Sequence, residues 1–263
     1  MTITPAKSQP NCAIVINTRP APMGLELEAL LKQNEISSLF QPALQNQPVN
    51  NALANLDLIS LSQATLIFIS RSAVNAFYQQ IKNQPDLVAT IKQHPRIFAV
   101  GQSSAKQLTE QFKLNPNQVE YPAQSDSEGL LAMDFFHAVD KHPKVFIFKG
   151  VDGRELLNEQ LHSRGFEVSE WSLYKRLEIE YPDASQRWKS AQVILATSRD
   201  IAHSVTNSLK TDDSTDLNHW SWLVFSDRIK SELLALGIEK SRIHTCEQMD
   251  NSSIIKHIKQ LAK

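Results

Sequence analysis

The sequence is poor in residues and patterns that mark several large classes of protein. It has 7 glycines and 2 cysteines among 263 residues, and 27 Lys and Arg against 28 Asp and Glu give a net charge of -1. Cys12 and Cys246 form no Cys-x-x-Cys pair, which excludes a disulfide scaffold and gives no zinc or redox motif. The balanced charge, with Lys and Arg dispersed along the chain, argues against a nucleic-acid partner.

Long apolar segments are also missing. Continuous apolar runs such as Leu66–Ile69 and Val145–Phe148 are short, whereas a membrane-spanning helix needs about 20 residues. The start of the chain has neither the apolar core nor the small-residue cleavage site of a secretory signal. We therefore expect no membrane association and a cytoplasmic location.

Familiar nucleotide-binding and catalytic motifs do not occur. The sequence contains no G-x-G-x-x-G, no G-x-x-x-x-G-K-[ST], no H-E-x-x-H and no G-x-S-x-G. His137, Asp140 and His142 lie close together, but they fall beside Pro143 at a predicted helix end, where a solvated loop explains them better than a metal site. The sequence predicts no bound metal.

What the sequence does contain is a regular alternation of short apolar runs and longer stretches of helical period. This alternation predicts parallel sheets covered by helices on both faces, and hence an α/β protein. The runs show almost no polar alternation, as is typical of strands buried on both faces. The pairs are Ala13–Ile16 with Gly24–Leu31, Leu66–Ile69 with Ala73–Ile81, Ile97–Val100 with Ala105–Phe112, Val145–Phe148 with Leu156–Leu161, Val193–Ala196 with Ile201–Leu209, and Trp222–Phe225 with Ile229–Leu236.

An internal repeat indicates two related domains. Ser70-Arg71 recurs as Ser198-Arg199, and the segment 124–131 recurs as 248–255, where Asp126 and Asp250 are each placed to cap the following helix. The segment 145–168 likewise mirrors 13–39. A repeat of this length predicts two α/β domains rather than a solenoid, whose repeats span about 20 to 50 residues.

The division of the chain between these domains has two solutions. Two polar, proline-containing stretches, Ser37–Val49 and Glu167–Pro182, follow matching helices and look like connectors. If both cross between domains, the first strand and helix belong with the C-terminal third, and the middle of the chain forms the other domain. A simple cut near residue 123 also fits, and the repeat alone does not choose between them.

Hydroxyl and basic residues follow the predicted strands. The carboxyl ends of parallel strands form the ligand crevice of α/β folds, and each turn there opens a helix whose first N–H groups attract anions. We therefore predict a site for an anionic ligand shared between two domains. The turns are Thr18-Arg19, Ser70-Arg71, Ser103-Ser104, Lys149-Gly150, Thr197-Ser198-Arg199 and Ser226-Asp227-Arg228.

A simpler interpretation competes at each turn. A Ser or Thr that caps a helix stabilises it by about 1 kcal/mol without any ligand, and for any single turn we favour that interpretation. The segment Lys149–Arg154 is the sharpest candidate for more, because Gly150 and Gly153 permit close backbone approach and Arg154 can bind a carboxylate through two hydrogen bonds. A tight turn with a solvated arginine fits it equally well.

Tyr174 lies in the second predicted connector. If that connector crosses between domains, its phenol is placed to act as a hydrogen-bond donor or general acid. Packing of the ring within a β-ladder is the competing interpretation, and it is favoured slightly by the residues alone.

Several short motifs, taken in their order and spacing, match a known family. They are Thr18-Arg19-Pro20, Phe68–Val74, Val100–Leu108, Lys149–Leu157, Gly165–Val168, Leu173–Arg176 and Ala196–Ser198. Each is weak alone, but their sequence along the chain is specific. On these motifs the chain resembles the uroporphyrinogen-III synthase family over nearly its whole length.

The resemblance implies two flavodoxin-like parallel-sheet domains joined by a two-stranded β connector. Domain one would comprise residues 1–38 and 179–263, domain two residues 43–170, and the connectors residues 39–42 and 171–178. The implied activity is that of a lyase in tetrapyrrole (haem) biosynthesis, which cyclises hydroxymethylbilane to uroporphyrinogen III with inversion of the last pyrrole ring and loss of water. The implied partner is this linear tetrapyrrole alone, with no cofactor, and we expect a monomer.

The resemblance also implies roles for individual residues. Tyr174 matches the family tyrosine that assists departure of the substrate hydroxyl. The chain departs from the family pattern at Ile69, where a Thr is usual, and at Ser226–Ile229, where the family has Gly-Pro-x-Thr. In that last turn we expect Arg228 to contact the anion, although the charge of Asp227 opposes it. The other implied substrate contacts are Thr18, Arg19, Ser70, Ser104, Gly150, Arg154 and Ser198.

Two rival functions fit parts of the pattern. A two-domain protein that binds a small anion without catalysis also encloses its ligand with α/β domains, but one of the periplasmic type would carry a signal peptide. A two-domain glycosyltransferase would bind a nucleotide sugar. The resemblance favours the synthase over both.

Overall fold

The computed structural model describes residues 15–137, 143–151, 155–211, 214–246, 248 and 250–261. The strands in these residues are β1 (Val15–Asn17), β2 (Ser38–Phe40), β3 (Leu44–Pro48), β4 (Thr65–Phe68), β5 (Ile97–Ala99), β6 (Val119–Glu120), β7 (Lys144–Gly150), β8 (Glu167–Glu178), β9 (Val193–Ala196), β10 (Ser221–Val224) and β11 (Ile243–Thr245). The α-helices are α1 (Met23–Gln33), α2 (Leu58–Gln63), α3 (Arg71–Ile81), α4 (Pro85–Lys92), α5 (Gln102–Phe112), α6 (Ser127–Leu131), α7 (Leu156–Ser163), α8 (Ala184–Arg187), α9 (Arg199–Leu209), α10 (Asp227–Ala235) and α11 (Asn251–Leu261). None of the helices found in this part of the chain has the length and apolar character needed to cross a bilayer.

The predicted alternation of strands and helices is confirmed, and with it the α/β fold class. Strand β9 has the predicted bounds, and α3 begins at Arg71 rather than Ala73 because Ser70 caps it. Asp126 caps α6 as predicted, since its carboxylate accepts the N–H of Gly129 at 2.7 Å. The elements α2, α4, β6, α8 and β11 were not predicted, because each spans eight residues or fewer and is too short to establish a clear period.

The chain divides into two compact units. Unit one contains residues 1–45 and 177–263, and unit two contains residues 46–176. Both sides of position 123 therefore belong to the same unit. Strand β2 overlaps the predicted connector 39–42, but it pairs in parallel with β1 as part of the sheet of unit one.

Each unit is built on a largely parallel sheet. In the described residues the order in unit one is β2-β1-β9-β10-β11, with every pair parallel. The second sheet has the order β3-β8-β7-β4-β5-β6 and is parallel from β8 to β6. When β7 and β8 are matched to β1 and β2, the parallel strands of both sheets follow the same order, and the sequence repeats fall on equivalent strands.

Strand β3 lies antiparallel to β8. The N–H of Val49 donates to the carbonyl of Leu173, and the N–H of Ile179 donates to the carbonyl of Ala43, both at 2.9 Å. The partners run in opposite directions along the chain, which defines the antiparallel pairing.

The cores lie on both faces of each sheet. In unit one, Ile16 and Ile194 face one apolar cluster while Val15 and Leu195 face the other. In unit two, strands β4 and β7 alternate in the same way, with Phe68 and Phe148 on one face and Ile67 and Ile147 on the opposite face. Because helices cover both faces, the polar chemistry of each unit is confined to the ends of its strands.

A buried histidine makes the stability of unit two depend on pH. His94 is 2% exposed; its Nε2 lies 2.9 Å from the carbonyl of Leu61, and its Nδ1 accepts the N–H of Arg96 at 3.1 Å. These partners select the neutral ring with its proton on Nε2. Burial lowers the pKa of His94 below its ordinary value.

We expect the free energy of unfolding to fall as the pH drops below about 6.5, because His94 then binds a proton in the unfolded chain but not in the folded one. The stabilisation from buried, neutral His94 is fully present above that pH and is lost as the pH falls toward the pKa of His94 in the folded protein. His94→Gln supplies a neutral donor and acceptor and should flatten this part of the profile. Urea unfolding between pH 5 and 7.5 measures it, and an unchanged slope in the variant would contradict the assignment.

Candidate functional site

The predicted site residues gather at the carboxyl edges of the two sheets. Parallel strands end at the same edge, so Thr18, Arg19, Ser198 and Arg228 share one edge in unit one, following β1, β9 and β10. In each sheet the order of connections reverses at one place, between β1 and β9 and between β7 and β4. This switch point is where open α/β sheets bind ligands. The residues predicted at the edge of unit two are Ser70, Ser104 and Gly150, whereas Arg154 lies outside the described residues.

Three predicted residues of unit two meet in one cluster. The hydroxyl of Tyr174 lies 3.2 Å from Oγ of Ser70, and either group can donate this hydrogen bond. The same Ser70 oxygen accepts the N–H of Ala73 at 3.1 Å and so caps α3. Tyr174 is 2% exposed and its ring packs in the core, against Gly150. The β-ladder interpretation of Tyr174 is thus correct for its ring, while its hydroxyl reaches a predicted site residue.

The position of Tyr174 depends on an irregularity between β7 and β8. Lys149 pairs with Ser172, but the next residue, Gly150, pairs with Tyr174, so the register shifts at this point. The extra residue on β8 is Leu173. A bulge of this kind redirects the side chains that follow it.

Lys149 is a buried cation that forms an ion pair with the more exposed Glu170 at the same strand end. Its Nζ lies 2.9 Å and 3.0 Å from the two carboxylate oxygens of Glu170, and its side chain is 5% exposed. A cavity of about 200 Å³ lies beside it, lined also by Ile69 and Asp126. The pair makes a buried cation tolerable because both charges remain hydrogen-bonded.

The turn after β1 in unit one is held by buried polar contacts. The hydroxyl of Thr18 donates to the carbonyl of Leu195, which joins the ends of β1 and β9. Arg19 is 6% exposed, and its Nη1 donates to Oδ1 of Asn251 at 2.8 Å. These contacts fix the geometry of the turn before any ligand binds.

The capping interpretation is confirmed at three serines. Oγ of Ser70, Ser198 and Ser226 each accepts the N–H three residues later, at 3.1, 3.2 and 3.4 Å respectively. Ser104 is different, because Gly101 occupies the cap position of α5 and Ser104 is buried in the first turn. The capping serines therefore have structural partners within their own units.

A comparison with known protein families identifies the family of this chain. A family model described as Uroporphyrinogen-III synthase HemD matches residues 26–256. This chain belongs to the uroporphyrinogen-III synthase family. The family predicted from the short motifs is confirmed.

Individual relatives agree with the family match. The chain is 25% identical over 252 residues to the uroporphyrinogen-III synthase of Escherichia coli (strain K12), covering 92% of this chain and 98% of the relative. It is 30% identical over 186 residues to that of Proteus mirabilis, covering 68% and 89% respectively.

Solved structures of synthases share the fold. The Helicobacter pylori uroporphyrinogen-III synthetase aligns with a TM-score of 0.59 at 16% identity, covering 94% of this chain and 99% of that one. A mutant uroporphyrinogen III synthase of Thermus thermophilus aligns with a TM-score of 0.56 at 15% identity, with the same coverage. At such identities the alignments support the α/β fold alone.

Charge at the edge of unit one is balanced rather than basic in this synthase family member. Hydrogen bonds from Ser252 and Ser253 hold the pKa of Asp250 well below its ordinary value, so this carboxylate stays ionised. An anionic ligand would therefore gain more from helix N–H groups and local arginines than from net charge. The charged residues after the strands are Arg19, Arg199 and Arg228 with Asp200, Asp227 and Asp250.

Asn17, which was not among the predicted site residues, supports the turn after β1. Asn17 is fully buried; its amide nitrogen donates to Oε1 of Glu28 at 2.7 Å and to the carbonyl of Gly24 at 2.9 Å. Its amide oxygen accepts the N–H of Arg19 at 3.3 Å. The sequence signal for this role is an asparagine at the end of an apolar run, because a polar side chain buried there needs hydrogen-bond partners.

The loop with three polar residues, His137, Asp140 and His142, is described only in part. Of these residues His137 is exposed, while Asp140 and His142 lie outside the described residues. Within the part of the chain that the structure describes, no group of three or more His, Cys, Asp and Glu side chains is arranged to hold a metal ion.

Proposed function

We propose that this chain is a uroporphyrinogen-III synthase that cyclises hydroxymethylbilane to uroporphyrinogen III in tetrapyrrole (haem) biosynthesis. The observation that carries the proposal is the family match over residues 26–256. Relatives over most of the chain are synthases by name. This favours catalysis over the alternative of an anion-binding protein.

The proposal includes the domain organisation expected from the family. Two flavodoxin-like domains, 1–38 with 179–263 and 43–170, would be joined by a β connector at 39–42 and 171–178. The strand order β2-β1-β9-β10-β11 in unit one supports the flavodoxin-like assignment. The antiparallel contacts of β3 with β8 support the connector.

The substrate is a linear tetrapyrrole with eight carboxylates. Helix N-termini hold carboxylates through backbone N–H groups without adding formal charge, which suits a chain of balanced net charge. Arginines can hold further carboxylates with paired hydrogen bonds. We assign these contacts to Thr18, Arg19, Ser70, Ser104, Ser198 and Arg228, together with Arg154 as the family resemblance implies.

The proposed reaction needs control of conformation more than a strong acid. The terminal hydroxyl takes up a proton and leaves as water, and the adjacent pyrrole nitrogen stabilises the resulting cation. The carbon of the last pyrrole ring that already bears a methylene bridge attacks this cation and forms a spiro intermediate. The bond from that carbon to its original bridge then breaks and leaves a second cation on the bridge. The free carbon of the inverted ring attacks this second cation, and loss of a proton completes the macrocycle. Since the bilane also closes unaided to the symmetric type I isomer, the enzyme must bind one folded geometry preferentially.

Tyr174 is the proposed group that assists departure of the hydroxyl. Its phenol is held beside Ser70 at the switch point of unit two. A phenol in a largely buried setting donates a stronger hydrogen bond than it does in water. The pyrrole nitrogens also push the hydroxyl out, so Tyr174 accelerates a step that proceeds without it.

The product isomer tests the proposed function. We expect the purified protein, given freshly generated hydroxymethylbilane, to yield mainly the type III porphyrinogen, because directed closure outruns spontaneous closure. Chromatography of the oxidised products separates the isomers. The bilane without protein is the control, and type I alone at saturating protein would overturn the proposal.

Removal of the phenol hydroxyl tests the role of Tyr174. Tyr174→Phe should lower turnover by about 10-fold or more, toward the range of general acid catalysis, while the ring still fills the core. Tyr181→Phe is the matched control, because it also removes one hydroxyl, which bonds to the carbonyl of Pro42 at 3.2 Å. Equal turnover in both variants would remove Tyr174 from the mechanism.

A charge placed on a helix cap tests whether Ser198 contacts the substrate. Ser198→Asn and Ser198→Asp both retain a good cap, so stability should change by less than about 0.5 kcal/mol. Only the aspartate repels a substrate carboxylate, and we expect it to raise KM by about 10-fold relative to the asparagine. Steady-state kinetics of the two variants measure this difference, and identical KM values would mean that Ser198 is a cap alone.

A further inference from the structure

The contact between Gly150 and Tyr174 suggests a role that the family resemblance does not give to the glycine. A methyl group built at Gly150 would lie 2.9 Å from Cζ, 3.0 Å from Cε2 and 3.2 Å from the hydroxyl of Tyr174. Ordinary carbon contacts are about 3.5 to 4 Å. The ring therefore occupies the space that any other residue at position 150 would fill.

The backbone at Gly150 does not itself require glycine. Positive φ angles among the described glycines occur at Gly165 and Gly237, not at Gly150. An alanine at position 150 would thus suit the backbone, and the three atoms nearest to its methyl group would all belong to Tyr174. The conformational freedom of glycine is not what this position uses.

The register shift explains why the ring comes to this place. Continued regular pairing after Lys149 and Ser172 would set Gly150 opposite Leu173, but the shift sets it opposite Tyr174. The N–H of Val151 donates to the carbonyl of Tyr174 at 2.8 Å and holds the new register. Paired residues place their side chains on the same face of a sheet, so the phenol lies across the glycine and reaches Ser70.

We propose that Gly150 is a positioning residue that sets the location of the Tyr174 hydroxyl, rather than a direct contact to the substrate. This inference rests on the proposed function for its catalytic meaning. A methyl group at position 150 displaces the ring by roughly 0.5 to 1 Å. Displacements of about 1 Å can reduce a rate by about 100-fold.

A double-mutant cycle tests the proposal through kinetics. Gly150→Ala should lower kcat about as much as Tyr174→Phe and change KM by less than about twofold. The double variant should be no slower than the slower single variant, because both changes remove the same hydroxyl contact. If the effects of the two substitutions on kcat multiply in the double variant, or if Gly150→Ala raises KM and leaves kcat unchanged, Gly150 contacts the substrate directly and the proposal is overturned.

Gly101→Ala provides the matched control. A methyl group there would also be close, at 2.8 Å from Cβ of Ser125, and the turn follows strand β5 of the same sheet. Any effect of Gly101→Ala on turnover should multiply with that of Tyr174→Phe. If Gly101→Ala couples to Tyr174→Phe as strongly as Gly150→Ala does, the coupling reflects a general loss of rigidity in unit two. That result would also count against the proposal.

A second measurement does not depend on activity. The protein contains 4 tyrosines, and fluorine NMR of 3-fluorotyrosine-labelled protein identifies the Tyr174 signal by its loss in Tyr174→Phe. Gly150→Ala should move that signal and leave the other tyrosines in place, whereas Gly101→Ala should not move it. An unmoved signal in Gly150→Ala overturns the proposal.

A failure of Gly150→Ala to fold is also informative. The combination of Gly150→Ala with Tyr174→Leu should then fold, because the smaller side chain vacates the space needed by the methyl group. If that combination fails too, the methyl group clashes elsewhere and the proposal falls. If the wild-type protein makes no type III isomer, the proposed function is wrong. The NMR measurement can still show whether Gly150 positions Tyr174, so failure of the function and failure of the positioning role are distinguishable.

Discussion

Burial of both faces of each sheet is the constraint on which the rest of the structure depends. Residues such as Val15 and Ile16 alternate between two apolar cores, so a strand has no exposed face on which to place a polar group. The carboxyl ends of the strands, where a turn opens each helix, are the places left for polar chemistry. Residues at these ends must satisfy their own backbone first, and Thr18 and Ser198 do so within unit one.

A helix cap and a second side-chain hydrogen bond make compatible demands on one residue. Ser70 shows how, because its oxygen accepts the N–H of Ala73 and also shares a hydrogen bond with the hydroxyl of Tyr174. The cap fixes the serine with a structural bond of about 1 kcal/mol, and the fixed hydroxyl then orients the phenol. A positioned group of this kind needs no reorganisation when a reacting molecule arrives, which is where much of the catalytic advantage of enzymes arises.

The parts of the structure that depend on local signals were predictable from the sequence. Strand β9 and helix α3 follow from periodicity and capping, and the cap of α6 follows from Asp126. The register shift that sets Gly150 opposite Tyr174 was not predictable, because it depends on pairing between strands far apart in the chain. The partners of Asn17 and Lys149 were hidden for the same reason: neither Glu28 nor Glu170 is adjacent in sequence.

The duplicated strand order makes the differences between the units informative. At the end of β1, Thr18 follows a buried Asn17 bonded to a glutamate; at the end of the equivalent β7, Gly150 follows a buried Lys149 bonded to a glutamate. The framework is thus repeated, but the hydroxyl of Thr18 is committed to the carbonyl of Leu195, whereas the glycine admits a phenol. A linear tetrapyrrole has two unlike ends, and only one carries the leaving hydroxyl. Under the proposed function only one copy of the repeat needs a reactive group, and the copy that holds Tyr174 is the one whose strand end carries a glycine.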